Sequence, residues 1–422
     1  MYSRKIQKKM RIFFIFLVSV FSNFSYSQNN EKENSVNTNV ASPATNSNST
    51  PFNYVSEPLE VTDSISSLKE KNKMINEEVK KGGVSSKKMS VSEEVRASPS
   101  AATSKSSTEV MSSSFSSLKF KSSNQLNQRS PSDEQQLQMD QAVTYFETYA
   151  PESFEFHFYK YLAGNYSVEL APHLFKAYEL KPNNTDVQIQ MSSYFIIKED
   201  SVNTVLYLKK IKDVNRISDD MLSYSTDLLL SVPENGTLIT HGFDDTYSCE
   251  YLQLIKNVRP DVELISLDFL QSNEYRISIE KKGFVLPKSK VIDVAYLDSF
   301  CLHNESKSIS ISLTTPKEYF QGMTNKLFVV GLVFEYHSSA FNNFYKNDYL
   351  WNEVLEKKLV YSSLNEKAKQ ISSNYLPMLL QLRSFYTQQK NFEHVKKIDE
   401  ALDKVSVQCK KYDQVQKIKK SY

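Results

Sequence analysis

The sequence predicts an α/β module flanked by α-helical hairpins and preceded by a disordered N-terminal tether. Three observations lead to this fold class. Apolar residues have helical spacing after residue 132, the pattern changes to short β-rich runs at Thr237, and the first third of the chain is polar and of low complexity. We divide the chain into five segments: a signal peptide (1–27), a tether (28–132), a helical repeat-like region (133–231), an α/β module (232–340) and a C-terminal helical hairpin (341–422).

The first 27 residues have the features of a Sec signal peptide. A basic stretch precedes the apolar run Ile12–Phe21, and Ser25-Tyr26-Ser27 offers small residues for cleavage. The run is shorter than the roughly 20 residues needed to span a bilayer. We therefore expect a periplasmic or secreted protein whose mature chain has no transmembrane segment.

Net charge does not favour nucleic acid as a partner. The chain has 51 basic and 49 acidic residues. Residues 1–27 hold five of the basic residues and none of the acidic ones, so the mature chain has 46 against 49, a net charge of −3. No basic surface of the kind that binds phosphate backbones is predicted.

Residues 28–132 are dominated by Ser, Asn, Thr, Lys and Glu. Such a segment buries too little apolar surface to offset its conformational entropy. We expect a disordered tether.

The helical region reads as six helices, with capping residues at several starts. Their predicted positions are around Leu137–Phe146, Phe154–Leu162, Leu170–Leu180, Thr185–Ile197, from cap Asp200 to Lys210, and from cap Ser218 to Leu230. The run Ala177–Asn184 resembles the end of a tetratricopeptide helix pair. A second tetratricopeptide-like hairpin is predicted from Ser363–Gln389 and Asn391–Val407.

The α/β module is predicted from strand–helix–strand order. Runs Thr237–Thr240 and Val262–Ser266 are β-rich and flank a helix at Thr246–Lys256, which indicates a parallel βαβ unit. Ser308–Leu313 alternates as a half-buried strand does, and Leu327–Tyr336 reads as one further strand.

Cysteine and glycine usage exclude several kinds of site. The three cysteines have no CxxC spacing, so neither a zinc site nor a disulfide framework is predicted. A single Cys249–Cys301 disulfide and buried free thiols are the two alternatives. The chain has eight glycines and lacks both GxGxxG and a Walker loop, so no nucleotide cofactor is expected.

The candidate site lies where the first predicted strand meets its helix. Ligands favour that edge of open α/β sheets. The residues gathered there are His241, Asp244, Asp245, Thr246 and Tyr247. One interpretation is that the aspartates cap the helix; the other is a polar site for a cation or a sugar.

A sixth candidate residue, Arg259, lies further along the chain. It could bind an anion, or it could belong to an Arg-Pro-Asp turn in which Pro260 keeps Arg259 out of helix.

The same segment resembles a known family. Asn235-Gly236, Gly242-x-Asp-Asp-Thr-Tyr247, Tyr251 and Val258–Val262 are similar to the soluble C-terminal periplasmic region of a Bacteroidota membrane-protein family. That family is related to protein O-mannosyltransferases, and the resemblance spans roughly residues 220–405. It implies the α/β fold. Glycosyl transfer is not carried over, because the many membrane helices of the family are missing and His241 and Phe243 replace expected polar residues.

Together these patterns favour a non-enzymatic envelope protein that binds or assembles a protein partner through its helices and α/β module. An alternative is an accessory of glycan or glycoprotein handling that binds a saccharide. A third interpretation is a hydrolase that uses His241 and the two aspartates.

Overall fold

The computed structural model describes residues 101–362 and 364–420. The predicted signal peptide and the tether up to residue 100 lie outside the described residues. From Met111 onward the described residues belong to one compact unit. It is mostly helical and carries a small mixed sheet of five strands, so helices dominate more than the predicted α/β class implies.

The predicted tether ends too late in the sequence. Helix α1, Ala101–Ser123, lies within it. Phe115 is fully buried and stacks on Tyr159 with ring centroids 4.2 Å apart. Met111 and Leu118 pack against the same cluster. The prediction of disorder is therefore wrong for residues 111–132, because a few well-spaced apolar residues in a Ser/Lys-rich segment pack onto the apolar cluster of the following helices.

Six helices follow α1 before the sheet, close to their predicted positions. They are α2 Asp133–Tyr149, α3 Phe154–Ala163, α4 Ala171–Leu180, α5 Thr185–Ile197, α6 Ser201–Asp213 and α7 Asp219–Leu230. Asp200 and Ser218 cap α6 and α7 as predicted, each accepting a backbone N–H three residues on. From α2 to α6, each helix packs against the next one in the chain. Whether they are tetratricopeptide repeats stays a prediction.

The sheet has the strand order β2-β1-β3-β5-β4. Its strands are β1 Thr237–Thr240, β2 Glu263–Ser266, β3 Ile309–Ser312, β4 Leu327–Val330 and β5 Val333–Tyr336. β1 is parallel to β2 and β3, which confirms the βαβ unit, whereas β5 is antiparallel to β3 and β4. The carboxyl ends of β1, β2 and β3 therefore share one edge.

Two strand predictions are wrong in detail. The run Leu327–Tyr336 is a hairpin of two strands, because Gly331 takes a left-handed conformation (φ 57°) and reverses the chain. β3 is buried on both faces, although its alternation predicts a half-buried strand. Its alternating serines, Ser310 and Ser312, are small enough to be buried.

Three α-helices connect the parallel strands: α8 Gly242–Lys256 between β1 and β2, and α9 Asn273–Lys281 and α10 Val294–His303 between β2 and β3. Six more follow the sheet, namely α11 Phe344–Tyr349, α12 Lys358–Tyr361, α13 Glu366–Ile371, α14 Leu376–Gln388, α15 Phe392–Gln408 and α16 Tyr412–Lys420. A π-helical turn, Leu350–Val354, continues α11.

The predicted C-terminal hairpin is present as α14 and α15, which pack together across the predicted turn. Its first helix begins at Leu376 rather than at 363, with Pro377 in the first turn, where a missing N–H costs nothing.

The three cysteines are free and buried, so the Cys249–Cys301 disulfide does not form and the alternative of buried thiols is confirmed. Among the described residues, none of the helices combines the length and hydrophobicity that crossing a bilayer requires.

Candidate functional site

Helix α8 begins four residues earlier than predicted, and this changes the role of the two aspartates. β1 ends at Thr240, His241 is the N-cap residue, and Gly242 enters the helix with φ 77°. Asp244 and Asp245 thus lie inside the first turn. The interpretation that they are N-cap residues is wrong, although their charge still complements the helix dipole.

Asp244 faces the C-terminal helices. Its carboxylate accepts a hydrogen bond of 2.6 Å from Lys367 Nζ on α13, and both side chains are partly exposed. This contact links α8 to α13 across the surface, where an ion pair adds little stability.

Asp245 points into the interior. It is fully buried, and Thr314, two residues beyond β3, donates its hydroxyl to one carboxylate oxygen. The other oxygen, Oδ1, has no hydrogen-bond partner among the described residues. Burial raises the pKa of Asp245 to about 6, against the lowering effect of the Thr314 and Ser312 hydroxyls.

Thr246 and Tyr247 hold α8 against its neighbours. Thr246 Oγ1 lies 2.8 Å from Thr240 Oγ1 on β1 and 3.3 Å from Ser266 Oγ on β2. Tyr247 is buried, and its hydroxyl bonds to Ser193 on α5. Both side chains are therefore satisfied within the fold.

His241 lies at the same edge. Its ring makes an edge contact with Tyr319 at 6.0 Å, and its Nε2 is buried without a partner among the described residues. Burial lowers the pKa of His241 to about 3, and the charge of Arg129 acts in the same direction. The imidazole is consequently neutral at physiological pH.

A buried ion pair between Arg129 and Asp268 lies at this edge, and neither residue was predicted from the sequence. Arg129 extends from the segment before α2 and is 5% exposed. Its Nε donates to Asp268 Oδ1 at 2.9 Å, and Nη2 contacts the same oxygen. Asp268 Oδ2 accepts the backbone N–H of Gly242 at 2.8 Å. Arg129 also donates its own backbone N–H to Ile292 O at 2.9 Å.

The ion pair sets the charge of this edge. Burial alone would raise the pKa of the Asp268 carboxyl, but the Arg129 guanidinium outweighs it and leaves that pKa below its ordinary value. The edge therefore holds a fixed carboxylate and a fixed guanidinium, both supplied by this chain. The signal that could have found Asp268 is its position two residues after a strand parallel to β1.

Arg259 is not part of this cluster. It follows α8 and precedes β2, so it lies at the opposite end of the parallel strands. Its guanidinium pairs with Asp261 and donates to the carbonyls of Leu229, Val232 and Pro233, each at 2.9 Å. The turn interpretation fits these contacts, since Arg259 ties down the carbonyl groups at the end of α7.

The structure thus brings five of the six predicted residues to the same edge of the sheet. Their contacts join secondary-structure elements to one another. Each carboxylate at the edge already has a hydroxyl, ammonium or guanidinium partner from the chain. Among the described residues, no group of His, Cys, Asp and Glu has an arrangement that could hold a metal ion.

A separate cleft opens among the C-terminal helices. Its volume is about 400 Å³. It lies between the π-helical turn, Tyr361 at the end of α12, and one face of α15. The lining residues are Trp351, Asn352, Tyr361, Tyr386, His394, Lys397, Ile398, Glu400 and Lys404.

No protein-family model, curated protein or solved structure matches this chain.

Proposed function

We propose that the protein is an exported, non-enzymatic envelope protein that holds a protein partner through its C-terminal helices. The observation that carries this proposal is a set of exposed aromatic side chains on the two helices flanking the cleft. Tyr345 and Tyr349 on α11 and Phe392 on α15 are 66%, 61% and 72% exposed. Aromatic residues are enriched at protein interfaces, where they bury much area at low entropic cost.

The carboxyl edge of the sheet supports the same proposal. Ligands of open α/β sheets commonly bind there, but here the buried pair of Arg129 and Asp268 occupies it. The polar residues of the edge are suited to joining the N-terminal segment to the sheet. The export part of the proposal is motivated by the basic and apolar composition of residues 1–27.

Export is tested by fractionating cells that express the tagged full chain. We expect it in the periplasmic or extracellular fraction, and we expect a variant without residues 2–27 to remain in the cytoplasm. Equal distribution of the two proteins would overturn this part of the proposal.

Partner binding is tested by using the mature chain as bait in an envelope extract. The triple variant Tyr345→Ser, Tyr349→Ser and Phe392→Ser should lose a specific protein that the unchanged chain retains. The control is Val202→Ser with Leu206→Ser, which removes exposed apolar side chains from α6 instead. If no specific protein is enriched, or if both variants retain it equally, the proposal fails.

A saccharide-binding accessory remains the second candidate. The cleft favours it, because aromatic rings and hydrogen-bonding side chains, among them Asn352, line the same concave surface.

A further inference from the structure

We propose that the cleft between the π-helical turn Leu350–Val354 and α15 is a saccharide-binding site. The inference rests on the proposed role as an envelope binding protein and adds a ligand class and a location to it. It does not involve the sheet edge at Asp244 and Asp245, where the sequence places the candidate site.

The size of the cleft suits a small ligand. Its volume of about 400 Å³ falls within the roughly 300–1,000 Å³ typical of small-molecule sites. One wall is α15, which presents His394, Lys397, Ile398 and Lys404 at helical spacing. The lining also includes Asn352 and the largely buried Trp351 from the π-helical turn.

Two aromatic groups of the cleft lining are at least partly exposed, although Lys404 Nζ lies over one face of the Tyr361 ring. Tyr361 is 56% exposed. His394 is partly exposed and packs against the Tyr386 ring with centroids 4.8 Å apart. The C–H groups on one face of a sugar ring carry partial positive charge, so they pack favourably on the electron-rich face of an aromatic ring.

A polar network beside these rings fixes one amide. Asn352 Nδ2 donates to Asp348 Oδ1 at 2.8 Å and to Tyr386 Oη at 3.2 Å, and Tyr386 donates its hydroxyl to Asp348. Both amide hydrogens are thereby committed, so the carbonyl oxygen of Asn352 is held in one orientation. A fixed planar acceptor next to an aromatic face can pair with a sugar hydroxyl.

The charged residues of the lining narrow the class of sugar that the cleft would bind. Lys397, Lys404 and Glu400 line the cleft. Lys404 Nζ lies 5.2 Å from the Tyr361 ring centroid and donates to the Tyr361 carbonyl at 3.2 Å. Lys397 is already paired with Glu393 at 2.8 Å, which leaves Lys404 and Glu400 as charges of opposite sign on the lining. The cleft is therefore close to neutral, which fits a neutral sugar better than a charged one.

The backbone provides an independent indication. π-Helical turns are rare and occur frequently at functional sites. Here the turn spans five residues and places Trp351 and Asn352 on the wall of the cleft.

The experiment uses the mature full chain on a glycan array that carries mannose, galactose, N-acetylglucosamine and hexuronate glycans. Hits are then measured by titration calorimetry with the methyl glycoside of the best-bound sugar. We expect binding that falls at least about tenfold in Tyr361→Ala and in Asn352→Ala. The matched control is Tyr149→Ala, an exposed tyrosine at the end of α2 and outside the cleft lining, which should bind like the unchanged chain.

Asp244→Ala should also leave saccharide binding unchanged, since Asp244 contacts α13 rather than the cleft. Thermal melts establish that each variant is folded. No binding to any array glycan overturns the inference, as does binding that both cleft variants retain. Partner retention in the envelope extract would still stand in either case, so failure here is distinguishable from failure of the proposed function.

Discussion

Arg129 and Asp268 lie 139 residues apart in the chain and form a buried ion pair at the carboxyl edge of the sheet. Asp268 also accepts the first N–H of α8 from Gly242. One carboxylate therefore joins three parts of the fold: the segment before α2, the end of β2 and the start of α8. The N-terminal segment is therefore attached to the sheet by a buried contact.

Removing Arg129 should destabilise the fold strongly. Breaking a buried pair by removing one partner costs about 3–5 kcal/mol, because the remaining charge is left uncompensated. We expect Arg129→Met to lower the free energy of unfolding, measured by urea denaturation, by about that amount. The double variant Arg129→Met with Asp268→Asn should lose less stability than the sum of the losses in the two single variants.

The control for this experiment is Lys397→Met, which breaks an exposed pair with Glu393 on α15. Its expected loss of stability is much smaller, because solvent screens an exposed pair. Equal effects of Arg129→Met and Lys397→Met would show that the buried pair does not hold the N-terminal segment.

The helices and strands are largely predictable from the sequence, because their signals are local. Contacts between residues that are distant in the chain are not predictable in this way. Capping residues such as Asp200 and Ser218 indicate where a helix begins, because the N–H groups that they bind are only a few residues away in the sequence. Their helices lie where predicted. Arg129 gives no such signal, because its partner is 139 residues away and its own segment is polar. Asp227 is similar: it is fully buried and accepts the Tyr375 hydroxyl at 2.6 Å from 148 residues away.

The candidate site shows the same division. The strand and the glycine turn identify the right edge of the sheet, and five predicted residues do meet there. The prediction of a cap fails because Gly242, with its positive φ, lets α8 begin directly after β1. The cleft at Trp351 and Asn352 depends on a π-helical turn, for which the sequence carries no simple spacing rule.

His241 should make the protein sensitive to acid. Its pKa is lowered by burial to about 3 in the folded chain, against an ordinary value of 6.5. Between these values the unfolded chain binds more protons, so stability falls as the pH drops from about 6.5 towards 3. We expect His241→Phe to lose less stability than the unchanged chain between pH 6 and pH 4, measured by denaturant unfolding at each pH. The exposed His303, replaced by Gln, serves as control; a slope unchanged in His241→Phe would contradict the assignment.

Glu250 should lower stability at high pH, whereas His241 lowers it at low pH. Loss of hydration at the half-buried Glu250 raises its pKa to about 7 from 4.5, with Lys282 opposing and Glu263 adding to the shift. The folded chain then binds more protons than the unfolded chain between pH 4.5 and 7, so this group costs stability as the pH rises through that range. We expect Glu250→Gln to raise the melting temperature at pH 8 and to leave it nearly unchanged at pH 4.5. A larger gain at the lower pH would be incompatible with this explanation.

Gly331, at the turn of the β4–β5 hairpin, should not accept a larger residue without loss of stability. It has φ 57°, and a Cβ built there would lie 2.1 Å from Ser231 Oγ, which accepts the backbone N–H of Leu332 at 3.0 Å. Gly331→Ala should therefore combine backbone strain of about 1–2 kcal/mol with displacement of a buried hydrogen bond worth about 1 kcal/mol.

Gly322 offers a matched control for Gly331, since it also has a positive φ (85°) but no atom within 4 Å of a built Cβ. Gly322→Ala should show the backbone strain alone. Urea denaturation of both variants then isolates the contact with Ser231, and we expect Gly331→Ala to be the less stable by at least about 1 kcal/mol. Equal losses would mean that Ser231 moves aside freely and that the contact between the hairpin and the end of α7 is not tightly packed.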